Sequence, residues 1–119
     1  MVLVDTSVWI NHLREDNPHL REMLIEGDVA CHPFVVGELA CGNLKNRTEF
    51  LSLLQTLPTV PVAEQNEILY FINEQSLMGH GLGFVDIHLL SSARLSHSPL
   101  WTVDKRLQSA ALEMNLSYI

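Results

Sequence analysis

Four acids in this 119-residue chain stand where carboxylates can do chemistry. Asp5 closes the apolar run Val2-Leu3-Val4, and Asp104 closes "LWTVD". Each is expected at the carboxyl end of a strand, just ahead of a helix. Glu38, in "PFVVGELACG", lies one turn from Phe34 and Val35; Asp86, in "FVDIHLLSSARL", lies one turn from Leu89 and Leu90. That spacing predicts both on the apolar, inward side of their helices. No basic residue stands at a helical offset from either. An inward carboxylate is costly unless a partner, a proton or a cation neutralises it. Two inward acids without local partners, with two more at strand ends, suggest a shared ion, and an all-oxygen donor set suits the hard cations Mg²⁺ or Mn²⁺. These ions activate water and offset charge on phosphate, so metal-assisted phosphodiester hydrolysis is the chemistry within reach. Taken singly, each acid has a plainer reading. Asp5 and Asp104 could cap helices, Asp86 could be a first-turn acid favoured by the helix dipole, and Glu38 could meet a distant arginine.

The elements that must position these acids follow from local signals. After the first helix, Asn17-Pro18 opens "HLREMLIEG", which Gly27 ends. "DVACH" reads as a short strand, Pro33 opens the helix "PFVVGELACGN", and Asn46 caps "RTEFLSLLQTL". "TVPV" is a short extended piece whose proline suits an edge. "AEQNEILYFINEQSLM" is a long helix, "GHGLG" a hinge, and "FVDIHLLSSARLSH" another helix. "LWTVD" as a strand, "KRLQSAALEMN" as a helix and a terminal "LSYI" strand complete the chain. Alternation of this kind predicts an α/β fold with a central, mostly parallel sheet and helices on both faces. In such sheets the working site lies beyond the carboxyl ends of the strands, where Asp5 and Asp104 stand.

The bulk numbers agree with one globular domain over residues 1–119. The chain is 47% hydrophobic and 18% charged, too apolar for disorder. No apolar run is long enough to span a bilayer, and Asp5 interrupts any leader-like stretch, so the protein is expected in the cytoplasm. Cys31 and Cys41 lack a zinc or secreted spacing and read as reduced thiols. The net charge of −7 opposes a broad electrostatic grip on nucleic acid, but setting aside four metal-holding acids leaves −3.

Other motifs carry less. "GHGLG" follows no strand and precedes no lysine-serine pair, so it reads as a hinge rather than a phosphate loop. His80 and His88 lie near the acidic motifs and are expected at the surface or in hydrogen bonds. Trp9 and Trp101 are expected in packing rather than stacked on bases. The basic pairs Lys45/Arg47 and Lys105/Arg106 have two readings, a solvated surface or phosphate contacts beside the acids.

In order and spacing, "LVDTSVWI", "PFVVGELACG", "GFVDIHLLSSA" and "LWTVDKRL" resemble the four acidic motifs of PIN-domain ribonucleases, and most of all those of VapC-type toxins from bacterial toxin–antitoxin systems. The resemblance spans essentially the whole chain. It implies an α/β/α sandwich, with Asp5, Glu38, Asp86 and Asp104 as the acidic centre and Asp5 and Asp86 as the main metal ligands. Ser7 and Thr102 match the small hydroxyl positions beside the first and fourth acids. Leu107 stands where an aromatic is common. The resemblance also implies Mg²⁺ or Mn²⁺, cleavage of RNA to 5′-phosphate and 3′-hydroxyl ends, and an antitoxin partner. Apolar helices add the expectation of a homodimer. Competing readings are an inert PIN-like interaction module and a phosphatase of the haloacid-dehalogenase kind. The phosphatase wants an aspartate two residues after the first, where this chain has Ser7. A signalling receiver fits worse, because "LWTVDKRL" does not supply its late lysine in strand context.

Overall fold

The computed structural model describes residues 1–119. At its centre is β1 (Val2–Val4), buried along its whole length and paired in parallel on both sides. It joins β2 (Val29–Ala30) through Val2 opposite Val29, and β3 (Leu100–Trp101) through Val4 opposite Trp101. A strand covered on both faces reads as an unbroken apolar run, which is why Val2-Leu3-Val4 shows no alternation. Single parallel bridges lengthen the sheet at both edges, Cys31 with Thr59 and Leu100 with Ser117. The extended piece near Pro61 and the carboxyl-terminal segment thus contribute one bridge each rather than full strands. Pro61, which has no N–H to donate, explains why the first of these does not propagate a ladder.

Seven helices surround this sheet: α1 (Thr6–Arg14), α2 (Pro18–Glu26), α3 (Pro33–Ala40), α4 (Arg47–Thr56), α5 (Gln65–Glu74), α6 (Phe84–Ser96) and α7 (Lys105–Glu113). They come partly in pairs between strands, so strict strand–helix alternation does not hold. The α/β architecture does hold. Asn17 caps α2 through its side chain, Pro18 occupies the first turn, and Gly27 closes the helix in the left-handed region at φ 74°. Asn46 precedes α4 as expected, but in the left-handed region and without a side-chain cap bond. Helix α5 stops at Glu74, four residues before the expected Met78, because the chain turns through Ser76 at φ 52°.

Helix α6 is the structural axis. Ile87 through Ala93 are all buried, and Ser92 stays inside by donating its hydroxyl hydrogen bond to the Pro61 carbonyl. Burying side chains the size of Leu89 and Leu90 contributes about 2 kcal/mol each. This fixes the helix whose first turn carries Asp86. On another side, Trp9 of α1 packs edge-on against Phe50 of α4 with ring centroids 5.9 Å apart. Helix α3 packs between α1 and α4 and brings Glu38 toward the start of α1. No helix is long and apolar enough to cross a membrane.

Candidate active site

The first acid is held most firmly. Asp5 leaves β1 with its backbone N–H donating to the Trp101 carbonyl at 2.9 Å, which stitches it to β3. Its side chain is buried at 5% exposure and caps α1. One oxygen, Oδ2, takes all the protein's donors: Ser7 Oγ at 2.6 Å, Thr102 Oγ1 at 2.8 Å and the Ser7 backbone N–H at 3.4 Å. Each hydroxyl in turn accepts a backbone N–H, Ser7 from Val103 at 3.2 Å and Thr102 from Asp104 at 3.0 Å. Two relays of amide to hydroxyl to carboxylate therefore converge on a single oxygen. Each bond polarises the next.

Asp104 lies three residues beyond the end of β3, so it is not the last residue of a strand. It is the N-cap of α7, with Oδ1 accepting from the Arg106 and Leu107 N–H groups at 3.0 Å. Asp86 occupies the first turn of α6, and its Oδ2 reaches back to the Gly83 N–H at 2.9 Å. Glu38 accepts from Thr6 Oγ1 through Oε1 at 2.6 Å. The capping readings were thus correct locally, yet each spends only one oxygen. Asp5 Oδ1, Glu38 Oε2, Asp86 Oδ1 and Asp104 Oδ2 take part in no protein hydrogen bond.

The expectation that Glu38 and Asp86 point into the core is corrected. Glu38 is exposed and Asp86 half-buried, while Asp104 is exposed beside the buried Asp5. Helix α3 buries Val35 and Leu39, and a turn of 100° per residue sets Glu38 about 60° from Val35, at the margin of the stripe. The acids share one solvent-facing region, here called the cleft, with the buried Asp5 as its floor. They still feel one another: burial lifts the Asp86 carboxyl above its ordinary range, and the charges of Asp5, Asp104 and Glu38 lift it further, against the Gly83 N–H that lowers it.

No three His, Cys, Asp or Glu side chains lie close enough together to hold a metal ion among themselves. Four unengaged carboxylate oxygens around a cleft instead suit an ion that keeps part of its water shell and shares the rest with a phosphate.

Two residues near the site were not singled out from sequence. Thr6, beside Asp5, is the sole protein donor to Glu38. His32, fully buried, caps α3 by accepting the Phe34 N–H at its Nδ1. A capping side chain just before a proline-led helix was the available signal for His32; for Thr6 there was none beyond proximity. His88 is buried rather than at the surface, and its Nδ1 and the His32 Nε2 lack partners. Burial pushes the His32 imidazole down to about 4, with His88 beside it acting in the same direction. Trp9 and Trp101 are buried as expected, and so is Cys31, whereas Cys41 is exposed. Arg47 of the first basic pair donates to the Ala40 and Gly42 carbonyls at the end of α3, a structural task.

Comparison with known proteins agrees with this arrangement. The profile of the PIN domain family matches residues 2–112. Ribonuclease VapC32 of Mycobacterium tuberculosis, from strains CDC 1551 / Oshkosh and H37Rv alike, is 45% identical over 118 residues, covering 98% of this chain and 95% of the relative. The crystal structure of PAE2754 from Pyrobaculum aerophilum superposes with a TM-score of 0.66 at 17% identity, over 92% of this chain and 83% of that one, and shares its fold. The chain belongs to the PIN-domain family.

Proposed function

We propose that this protein is a metal-dependent endoribonuclease and the toxin of a toxin–antitoxin pair, hydrolysing RNA to 5′-phosphate and 3′-hydroxyl ends. The observation that carries the reading is the cleft of four acids, each tied to the protein by one oxygen and leaving the other unengaged. Asp5 and Asp86 are the ligands we assign to Mg²⁺ or Mn²⁺, with Glu38 and Asp104 completing the acidic ring. When bound, such an ion supplies an activated water and offsets charge developing on the phosphate.

The chain's own contribution is orientation. Ser7 and Thr102 hold Asp5 Oδ2, which fixes the carboxylate and leaves Oδ1 unengaged. The α7 amides hold Asp104, and the Gly83 N–H holds Asp86. Glu38, exposed and retained by Thr6 alone, is free to accept a proton from water attacking in line with the leaving 3′ oxygen. The ribose 2′-hydroxyl has no part in this chemistry, so no cyclic phosphate forms.

The partners expected with this reading are an RNA strand, a cognate antitoxin and a second copy of the chain. Exposed Ile10 and Leu13 on α1 and Leu53 on α4 supply apolar surface for protein contacts. The test is purified protein with total RNA, Mg²⁺ or Mn²⁺, and chelator as control. Cleavage that stops in chelator and leaves 5′-phosphate ends by mass spectrometry supports the proposal. Full activity in chelator, or 2′,3′-cyclic phosphate ends, overturns the mechanism. Ion binding lost in Asp86→Asn, with no RNA cleavage under any condition, favours the inert interaction module.

A further inference from the structure

Seven basic side chains serve a chain with fourteen acids, so the place of each cation matters if a polyanion is to approach the cleft. Arg21 pairs with Asp16, Arg47 holds the end of α3, and Arg94 lies 5.9 Å over the Phe71 ring. Arg14 ends α1, roughly 13 Å along the helix from Asp5. Lys45 lies in the turn before α4. Lys105 and Arg106 are the cations within two residues of an acid of the cleft.

Arg106 has a seat that Lys105 lacks. Gly81 takes φ +74°, and a Cβ there would come 2.7 Å from Arg106 Nη1, 3.0 Å from Cδ and 3.1 Å from Cζ. The guanidinium therefore lies against bare backbone, where any other residue would displace it. Two residues on, the Gly83 N–H anchors Asp86, and the Arg106 N–H itself donates to the helix cap Asp104. The seat thus spans the loop of one acid and the helix of another. The guanidinium makes no ion pair; the pairs in the protein are those of His12 and Arg21 with Asp16. It borders a cleft of about 140 Å³ whose polar lining includes Gln75, Ser76, His80 and Ser109, with Glu113 as the one acid.

We infer that Arg106, seated on Gly81 beside His80, forms a binding subsite for an RNA backbone phosphate adjacent to the one being cut. This rests on the ribonuclease reading above. A guanidinium presents a planar fork of donors matched to phosphate, and here it is held and unspent. The lining carries no aromatic platform, so it favours phosphate over a stacked base. Glu113 is the one lining group that opposes a phosphate there, and Arg106 is the one guanidinium that attracts it.

The experiment is steady-state cleavage, over a range of salt, of a synthetic single-stranded RNA spanning a cut site mapped in total RNA. Arg106→Ala raises KM about fivefold and leaves kcat within about twofold. It also flattens the dependence of log(kcat/KM) on log salt by about 0.7, the share of one phosphate on a single strand. Arg106→Lys, which keeps the charge without the fork, falls between the two, and Arg14→Ala behaves as wild type. Matching thermal melts show that the variants stay folded, as the exposed side chain predicts. Wild-type KM and salt slope in Arg106→Ala overturn the inference, as does a fall in kcat with KM unchanged. If wild-type protein neither binds nor cuts RNA, the ribonuclease reading itself falls, and this inference falls with it.

Discussion

Asp5 and Glu38 face the same cleft and are held in opposite ways. Asp5 is buried, and three donors from two distant segments of the chain meet on one of its oxygens. Glu38 is exposed, and one hydroxyl, that of Thr6, is all that restrains it. The difference follows from what carries each residue. Asp5 leaves the central strand, so the sheet and both relays position it. Glu38 sits at the margin of the stripe of α3, a helix capped by a buried, neutral histidine. The floor of the cleft is therefore preorganised and its α3 wall adjustable, a division that suits a site holding an ion on one side while a proton moves on the other.

The largest effect should come from the floor. Asp5→Asn keeps the shape and most of the hydrogen bonds but removes the charge we assign to a metal ligand, and we expect kcat to fall at least a hundredfold (~3 kcal/mol) with the melting curve nearly retained. Activity near wild type would reduce the floor to a helix cap. The next effect tests the α3 wall through stability. The His32 imidazole titrates at about 4 in the fold against 6.5 when free. Between those values the unfolded chain binds the proton and the folded one does not. The stabilisation is thus complete above pH 6.5 and is lost as pH falls toward 4, by about 3 kcal/mol at most. Urea unfolding at pH 7, 5.5 and 4.5 measures it. His32→Asn retains a cap acceptor without the titration, so its stability should change less over that window, whatever its value at pH 7.

Smaller effects separate the two modes of restraint. Thr102→Val removes one relay to Asp5 and leaves the Asp104 N–H without its acceptor; we expect about a tenfold loss in kcat and ~1 kcal/mol in unfolding free energy. Thr6→Val frees Glu38 and should cost only about threefold in kcat, with no measurable change in stability because both partners already meet water. Thr6→Ser should recover the loss. A Thr6→Val defect as large as that of Thr102→Val would erase the distinction between floor and wall.

Much of this protein was legible in its sequence because the signals were local. An unbroken apolar triplet, a capping aspartate and a proline-led helix each depend on neighbours a few residues away. Asp5 and Asp104 just ahead of helices and Asp86 in a first turn were therefore readable from spacing, and the resemblance of the four motifs to PIN-domain ribonucleases agreed with the family match. Which way the acids face was a different kind of question. A hydrophobic stripe marks the side of a helix that packs but not where packing stops, and at that margin Glu38 turned outward. Asp86 escaped full burial because the first turn of a helix has no preceding turn above it. The Thr6–Glu38 bond, the two relays onto Asp5 and the seat of Arg106 on Gly81 join residues 32, 96, 97 and 25 positions apart. Only the closing of the tertiary fold brings such pairs together, because hydrogen-bond reach is a property of space and not of separation along the chain.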